Sequence, residues 1–226
     1  MEDSSRSFAL VCWNVRGLGD VLVKNNLSDN IASFKCASFL PPQFDSVAQL
    51  DAISSAGGLL IAWNSRMFRC TNQIISNRSI SIQFSSELSD INFWATNVYG
   101  PTAVEEQDEF FQDLMDINQS ISGPWILAGD FNIVRSVDDR NYGNASFSET
   151  YKFGNLLRDI QVQEIPLTDR NFTWSNMQEV PILTRIDRCF INADWDSVLP
   201  NSMLRSLPRT TSDHFPLCLE ASTSIP

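Results

Sequence analysis

Apolar runs in this chain are short, and nearly every one is closed within a few residues by Pro, Gly, Asn or Ser. Runs of that length suit strands, which are typically ~5–6 residues long, better than the longer helices of a bundle. Phe8 to Trp13, stopping at Asn14, reads as a buried strand, as does Leu59-Leu60-Ile61-Ala62-Trp63 after Gly57-Gly58. From Arg78 to Phe84 the pattern alternates, with Ile80, Ile82 and Phe84 on one face and Ser79, Ser81 and Gln83 on the other, which predicts a half-exposed strand. Ile91 to Tyr99 predicts another, closed by Gly100-Pro101, and Trp125-Ile126-Leu127-Ala128 is apolar on both faces just before Gly129-Asp130. Late strands are expected at Leu183 to Ile191 and Phe215 to Leu219.

Helical periodicity stands out in two places. Phe110, Leu114 and Ile117 form one stripe within Val104 to Ser120, and Thr102 precedes Glu105 at capping-box spacing. A second helix is expected from about Ser148 to Ile160, on Tyr151, Leu156, Leu157 and Ile160. Strands outnumbering helices predicts layered α/β or α+β architecture. No linker or repeat interrupts the 226 residues, which predicts a single domain with a sizeable core, in keeping with 43% hydrophobic composition. Val21 to Ser55 has the weakest pattern.

The formal net charge of −11 argues against a bulk binder of nucleic acid, because that needs clustered Lys and Arg, and is compatible with an enzyme that gathers carboxylates around a cation. Five cysteines, widely spaced and with no CxxC pair, argue against a disulfide framework or a zinc site and for free thiols in a reducing compartment. The polar start Met1-Glu2-Asp3-Ser4-Ser5-Arg6 is unlike a signal peptide, and no run reaches the ~20 apolar residues of a membrane span. The expectation is a soluble intracellular protein, nuclear or cytoplasmic, with no membrane partner and no protein partner that can be inferred.

Polar residues cluster at strand ends: Asn14 after the first strand, Tyr99 in Asn97-Val98-Tyr99-Gly100-Pro101, Asp130 and Asn132 in Gly129-Asp130-Phe131-Asn132, and Asp213-His214 before the last strand. His214 is the only histidine. Each has an ordinary reading: a strand-end cap for Asn14, packing for Tyr99, a turn for Asp130, a partly buried imidazole hydrogen-bonded to backbone for His214. Together they match what phosphodiester hydrolysis requires: oxygen ligands for a hard cation, a carboxylate to orient or deprotonate water, and a donor for the charge developing on phosphate.

The order of these pieces resembles the endonuclease/exonuclease/phosphatase superfamily, with its DNase I-like fold. The likeness is greatest to the endonuclease domain of non-LTR (LINE-type) retroelements. Its matching pieces are Trp13-Asn14-Val15-Arg16-Gly17-Leu18, Gly57-Gly58-Leu59, Asn97 to Pro101, Gly129 to Asn132, Phe172-Thr173-Trp174-Ser175-Asn176, Arg185-Ile186-Asp187-Arg188 and Ser212-Asp213-His214-Phe215-Pro216. The resemblance implies two packed mixed β-sheets flanked by helices in a four-layer sandwich, with the site at one rim. It also implies roles. Asn14 and Asp213 would serve a divalent cation, Mg²⁺ or Mn²⁺. Tyr99 would bond the scissile phosphate. Asp130 would position or deprotonate water, Asn132 would hold a phosphate oxygen, and Asp187 would orient His214. DNA is the implied substrate.

One departure matters. The family carries a helix and a strand ending in Gln-Glu before the Gly-Gly strand, and that Glu is the principal metal ligand. Here no Glu stands between Glu2 and Glu87. The expectation is one domain over residues 1–226, shortened between residues 20 and 57 by the loss of that helix and strand. Asp20 and Asp29 are the nearby acids that could substitute, but a shorter side chain on different backbone rarely meets the ~2.0–2.1 Å that Mg²⁺ demands. The chain also stops at Pro226 with no polymerase following, which suggests a detached module. Two readings follow: a divalent-metal-dependent phosphodiester hydrolase that binds its metal weakly, or an inactive retroelement-derived relic or binding module.

Overall fold

The computed structural model describes residues 7–12, 44–51, 58–209 and 212–223. Asn14, Asp20, Asp29 and the expected loss of a helix and a strand lie outside these residues.

In chain order the elements are β1 (Ser7–Cys12), β2 (Ser46–Leu50), β3 (Leu59–Trp63), β4 (Phe68–Ile75), β5 (Ser79–Ser86), β6 (Asn92–Tyr99), α1 (Gln107–Ser120), β7 (Trp125–Asp130), α2 (Phe147–Asp159), β8 (Val162–Glu164), β9 (Trp174–Ser175), β10 (Leu183–Thr184), β11 (Asp187–Asn192), α3 (Ala193–Val198), β12 (Met203–Ser206) and β13 (Leu217–Ser222). Six strands form one sheet in the order β4-β5-β6-β7-β11-β8. Neighbours are antiparallel except β6 and β7, which run parallel and are joined through α1. A parallel pair needs such a crossover, because a tight turn cannot return the chain to the same end. A three-stranded sheet, β1-β13-β12, and the hairpin β2-β3 complete the second layer.

Strand alternation sends side chains of the large sheet to two cores. Phe93, Ile126, Cys189 and Ile191 meet Leu204, Leu217, Leu219 and Trp195 between the sheet layers. Trp94, Trp125, Leu127 and Phe190 meet Phe110, Leu114, Phe153 and Leu156 under α1 and α2. Strand β7 is apolar on both faces because both are covered. Mixed α/β layers of packed sheets with helices outside are thus the architecture, as the sequence predicts.

Several local expectations are corrected. Strand β5 is not half-exposed: Ser79 and Ser81 are buried, and Ser81 Oγ lies 2.8 Å from Thr96 Oγ1, which accepts from Trp125 Nε1. Its small hydroxyl face is satisfied within the helix-side layer, so the alternation marked polarity and not exposure. The first helix does not use the Thr102 capping box. A 3₁₀ turn, Val104–Glu106, begins at Ala103 with no side-chain cap, and α1 follows it. The extended backbone at Ala103 starts the turn one residue later than that box requires. Residues Leu183 to Ile191 divide into β10 and β11, and β10 pairs with β9 in a separate two-stranded ribbon. Cys12, Cys70, Cys189 and Cys218 are free thiols. Among the described residues no helix is long and apolar enough to cross a membrane.

Candidate active site

Register builds the centre of the site. Tyr99 pairs with Asp130 across β6 and β7, and Asp130 pairs with Asp187 across β7 and β11. Three side chains from neighbouring strands therefore stand at one height on the sheet. Because alternate residues share a face, Asp130 and Asp187 lie on the side of Ala128 and Cys189, toward the second sheet layer. From that layer comes His214, held just before β13 by a bridge to Trp174 at β9.

The imidazole is enclosed by acids. His214 Nδ1 lies 2.9 Å from Asp187 Oδ2 and 3.1 Å from Oδ1. Its Nε2 is 3.8 Å from Asp130 Oδ2 and 4.0 Å from Asp213 Oδ1. All four residues are buried. Burial alone would push the imidazole pKa down. The hydrogen bond and charge of Asp187, then the charges of Asp130 and Asp213, outweigh it and hold His214 above its ordinary 6.5. Cys12, at the end of β1, reports the same field: burial first, then the negative charges of Asp187 and Asp130, push its thiol far up.

Residues given no role in the sequence reading hold this group in place. Trp174 Nε1 donates to Asp213 Oδ2 at 2.9 Å. Thr173 Oγ1, fully buried, accepts from the backbone N–H of Ile186 at 3.1 Å and of Asp187 at 3.0 Å. The Thr173 carbonyl accepts from Phe215 N, so one residue ties together the Asp187 and His214 segments. The sequence signalled this segment through the matching piece Phe172-Thr173-Trp174-Ser175-Asn176, which carried no role for any single residue. Asn132 sits at φ 53°, accepts no strain relief from glycine, and anchors itself by donating from Nδ2 to the Gly100 carbonyl at 2.7 Å. Its own N–H donates to Asp130 Oδ1 at 2.9 Å. Gly129, at φ 147°, is required by space: a Cβ there would lie 2.1 Å from the Val98 carbonyl oxygen. Of the residues singled out from sequence, Asp130, Asp187, Asp213 and His214 thus meet, Tyr99 and Asn132 adjoin Asp130 by register and chain, and Asn14 is outside the described residues.

A family model described as the Endonuclease/Exonuclease/phosphatase family matches residues 39–214. The chain belongs to that family. Solved structures share the fold at low sequence identity. The endonuclease domain of TRAS1, a telomere-specific non-LTR retrotransposon, is 11% identical with a TM-score of 0.66, covering 95% of this chain and 98% of its own. The AP endonuclease LMAP from Leishmania major is 15% identical with a TM-score of 0.72, covering 96% and 88%. The 3′ phosphatase NExo from Neisseria, solved with a product DNA hairpin, is 16% identical with a TM-score of 0.66, covering 93% and 98%. No curated protein sequence matches the chain.

Endonuclease/exonuclease/phosphatase enzymes are generally divalent-metal dependent, and the donor chemistry here suits a hard cation. Asp130, Asp187 and His214 place one ligand atom each within 4.8 Å of one another. Asp213 Oδ1 is at the same imidazole edge. Carboxylate oxygens are the ligands Mg²⁺ and Mn²⁺ prefer.

Proposed function

We propose that this chain is a divalent-metal-dependent phosphodiester hydrolase acting on DNA, with weak metal affinity. The observation that carries the proposal is the buried line Asp187–His214–Asp130, with His214 hydrogen-bonded on one side and 3.8 Å from a second carboxylate on the other. Asp187 fixes the proton on Nδ1 and favours the charged imidazolium. Nε2 then faces the site as a donor toward the oxygens of a phosphate whose negative charge grows as water attacks. Asp130, oriented by the N–H of Asn132, takes the proton from that water as its oxygen bonds to phosphorus, the P–O bond to the leaving strand end breaks, and the departing oxygen takes a proton from solvent. Tyr99, at the register position beside Asp130, supplies a phenolic donor to the phosphate, and the Asn132 amide, anchored on Gly100, holds a further phosphate oxygen. Asp213, its carboxylate held by Trp174, would bind the cation together with Asn14. A bound Mg²⁺ or Mn²⁺ would neutralise phosphate charge as a Lewis acid.

DNA is supported as substrate by the neighbours: a retrotransposon endonuclease, a phosphatase bound to a DNA hairpin, and TDP2 from D. rerio complexed with a single-strand DNA product. The missing Glu supports the second reading, an inactive relic or binding module, because no Glu lies between Glu2 and Glu87 to complete the metal shell. Nicking of supercoiled plasmid by the purified chain, with Mg²⁺, with Mn²⁺ and with EDTA, separates the two. Metal-dependent nicking that Asp130→Ala abolishes removes the relic reading. Absence of nicking in either metal removes the hydrolase reading.

A further inference from the structure

Beside the carboxylate centre, two guanidinium groups converge on one aromatic ring. Arg170 Cζ lies 3.5 Å from the centroid of Phe215, and Arg209 Cζ lies 4.6 Å from it. Phe215 is the residue after His214. Arg209 also donates from Nη1 to the Asp213 carbonyl at 3.4 Å, and Arg170 donates from Nε to Ser206 Oγ at 2.6 Å. Each arginine is therefore oriented by a stack and a hydrogen bond, and both are only partly buried.

Most described cations are paired, and Arg66, Arg140 and Arg158, which are not, do not share a ring beside the His214 segment. Arg69, Arg78, Arg135, Lys152, Arg185, Arg188 and Arg205 each have a carboxylate within ion-pair distance. Among the described residues, no such partner within 4.0 Å is found for Arg170 or Arg209. The adjacent Asp169 carboxylate is engaged by the N–H and hydroxyl of Ser206. A guanidinium over a ring retains in-plane N–H groups beyond the one that each donates to the protein here, and those groups match phosphate oxygens. In a chain of net charge −11, two oriented guanidiniums next to the His214 segment, with no carboxylate within 4.0 Å among the described residues, favour one class of ligand, an anion.

Resting on the hydrolase reading for its substrate, we infer that Arg170 and Arg209, braced on Phe215, form a subsite for a backbone phosphate of the nucleic-acid strand, flanking the phosphate that reacts. The pair positions the strand and carries no base specificity, since phosphate contacts hold register without reading sequence. It would let a strongly acidic protein bind a strand with few cations, because these two adjoin the Asp213-His214-Phe215 segment.

The test is equilibrium binding of the full chain to a fluorescein-labelled DNA duplex in EDTA, by anisotropy, across a range of NaCl concentrations. Each phosphate contact contributes about 0.9 to the slope of log K against log salt, which between 1 M and 0.1 M salt is about eightfold in affinity. The double variant Arg170→Gln/Arg209→Gln should lower the slope by about 0.9 and weaken binding at 0.1 M salt by roughly eightfold. Arg158→Gln, an exposed arginine on α2, should leave the slope at its wild-type value. Arg170→Lys/Arg209→Lys keeps the charges and loses the planar fork, so its slope should be retained with weaker affinity. Thermal melting of each variant identifies any that fail to fold, and the Lys pair serves if the Gln pair does. A folded Gln pair with the slope of Arg158→Gln overturns the subsite, as does a folded Lys pair whose slope falls, or a wild-type chain that shows no salt-dependent binding. Arginine-dependent binding by a chain that never nicks DNA upholds the subsite and removes the hydrolase reading. Nicking with an arginine-independent slope does the reverse.

Discussion

Replacing Asp187 by Asn isolates what that carboxylate does for His214. The change keeps size and removes one negative charge 2.9 Å from Nδ1. Burial, which opposes the charged imidazole, then meets only the more distant Asp130 and Asp213. A hydrogen bond to a charged partner is worth ~1.5–3 kcal/mol, so a transition state that needs the imidazolium should lose roughly 10- to 160-fold in kcat. Because the chain has one histidine, its imidazole can be followed by itself in ¹H–¹⁵N spectra of the metal-free protein. The wild-type midpoint should lie above 6.5, and that of Asp187→Asn should lie below the wild type. The sign for stability follows. A raised folded-state pKa stabilises the protein fully below 6.5, and that contribution is lost as pH rises through the raised value. Urea titrations should therefore show the variant most deficient at acid pH, with the gap narrowing on the alkaline side. A wild-type midpoint at or below 6.5, or an Asp187→Asn midpoint equal to the wild type, would refute the reasoning.

His214→Ala should lower kcat at least ~10²-fold, the scale for one transition-state donor, and unchanged turnover would assign His214 to packing. Gly129→Ala forces a Cβ to 2.1 Å from the Val98 oxygen at φ 147°. Overpacking and backbone strain together should remove at least ~2 kcal/mol, read as a lower urea midpoint at unchanged slope. Calorimetric titration should show weak Mg²⁺ binding, lowered further by Asp213→Asn and not improved by Asp20→Glu or Asp29→Glu. Tight wild-type binding would mean that another acid completes the shell.

What the sequence determined by itself was local. Trp125-Ile126-Leu127-Ala128 read as a fully apolar run before Gly129-Asp130, and Phe110, Leu114 and Ile117 as one stripe of a helix. The order of short polar clusters carried the family resemblance, and with it Asp130, Asp187, Asp213 and His214 as candidates. The short elements were not legible: β8 to β10 have two or three residues each, too few for any period to register. Arg188 was not legible as a core residue either. It is 2% exposed, tolerated because Glu164 at 2.7 Å and Asp139 neutralise it from elements far off in the chain. The same holds for the site's chemistry. Whether His214 is charged depends on Asp187, 27 residues away in sequence and in hydrogen-bond contact in space. Side-chain period is a property of neighbours along the chain, whereas charge, burial and hydrogen bonding depend on neighbours in space. Only the pairing of β7 with β11, and the packing of the second sheet layer over them, brings those neighbours together.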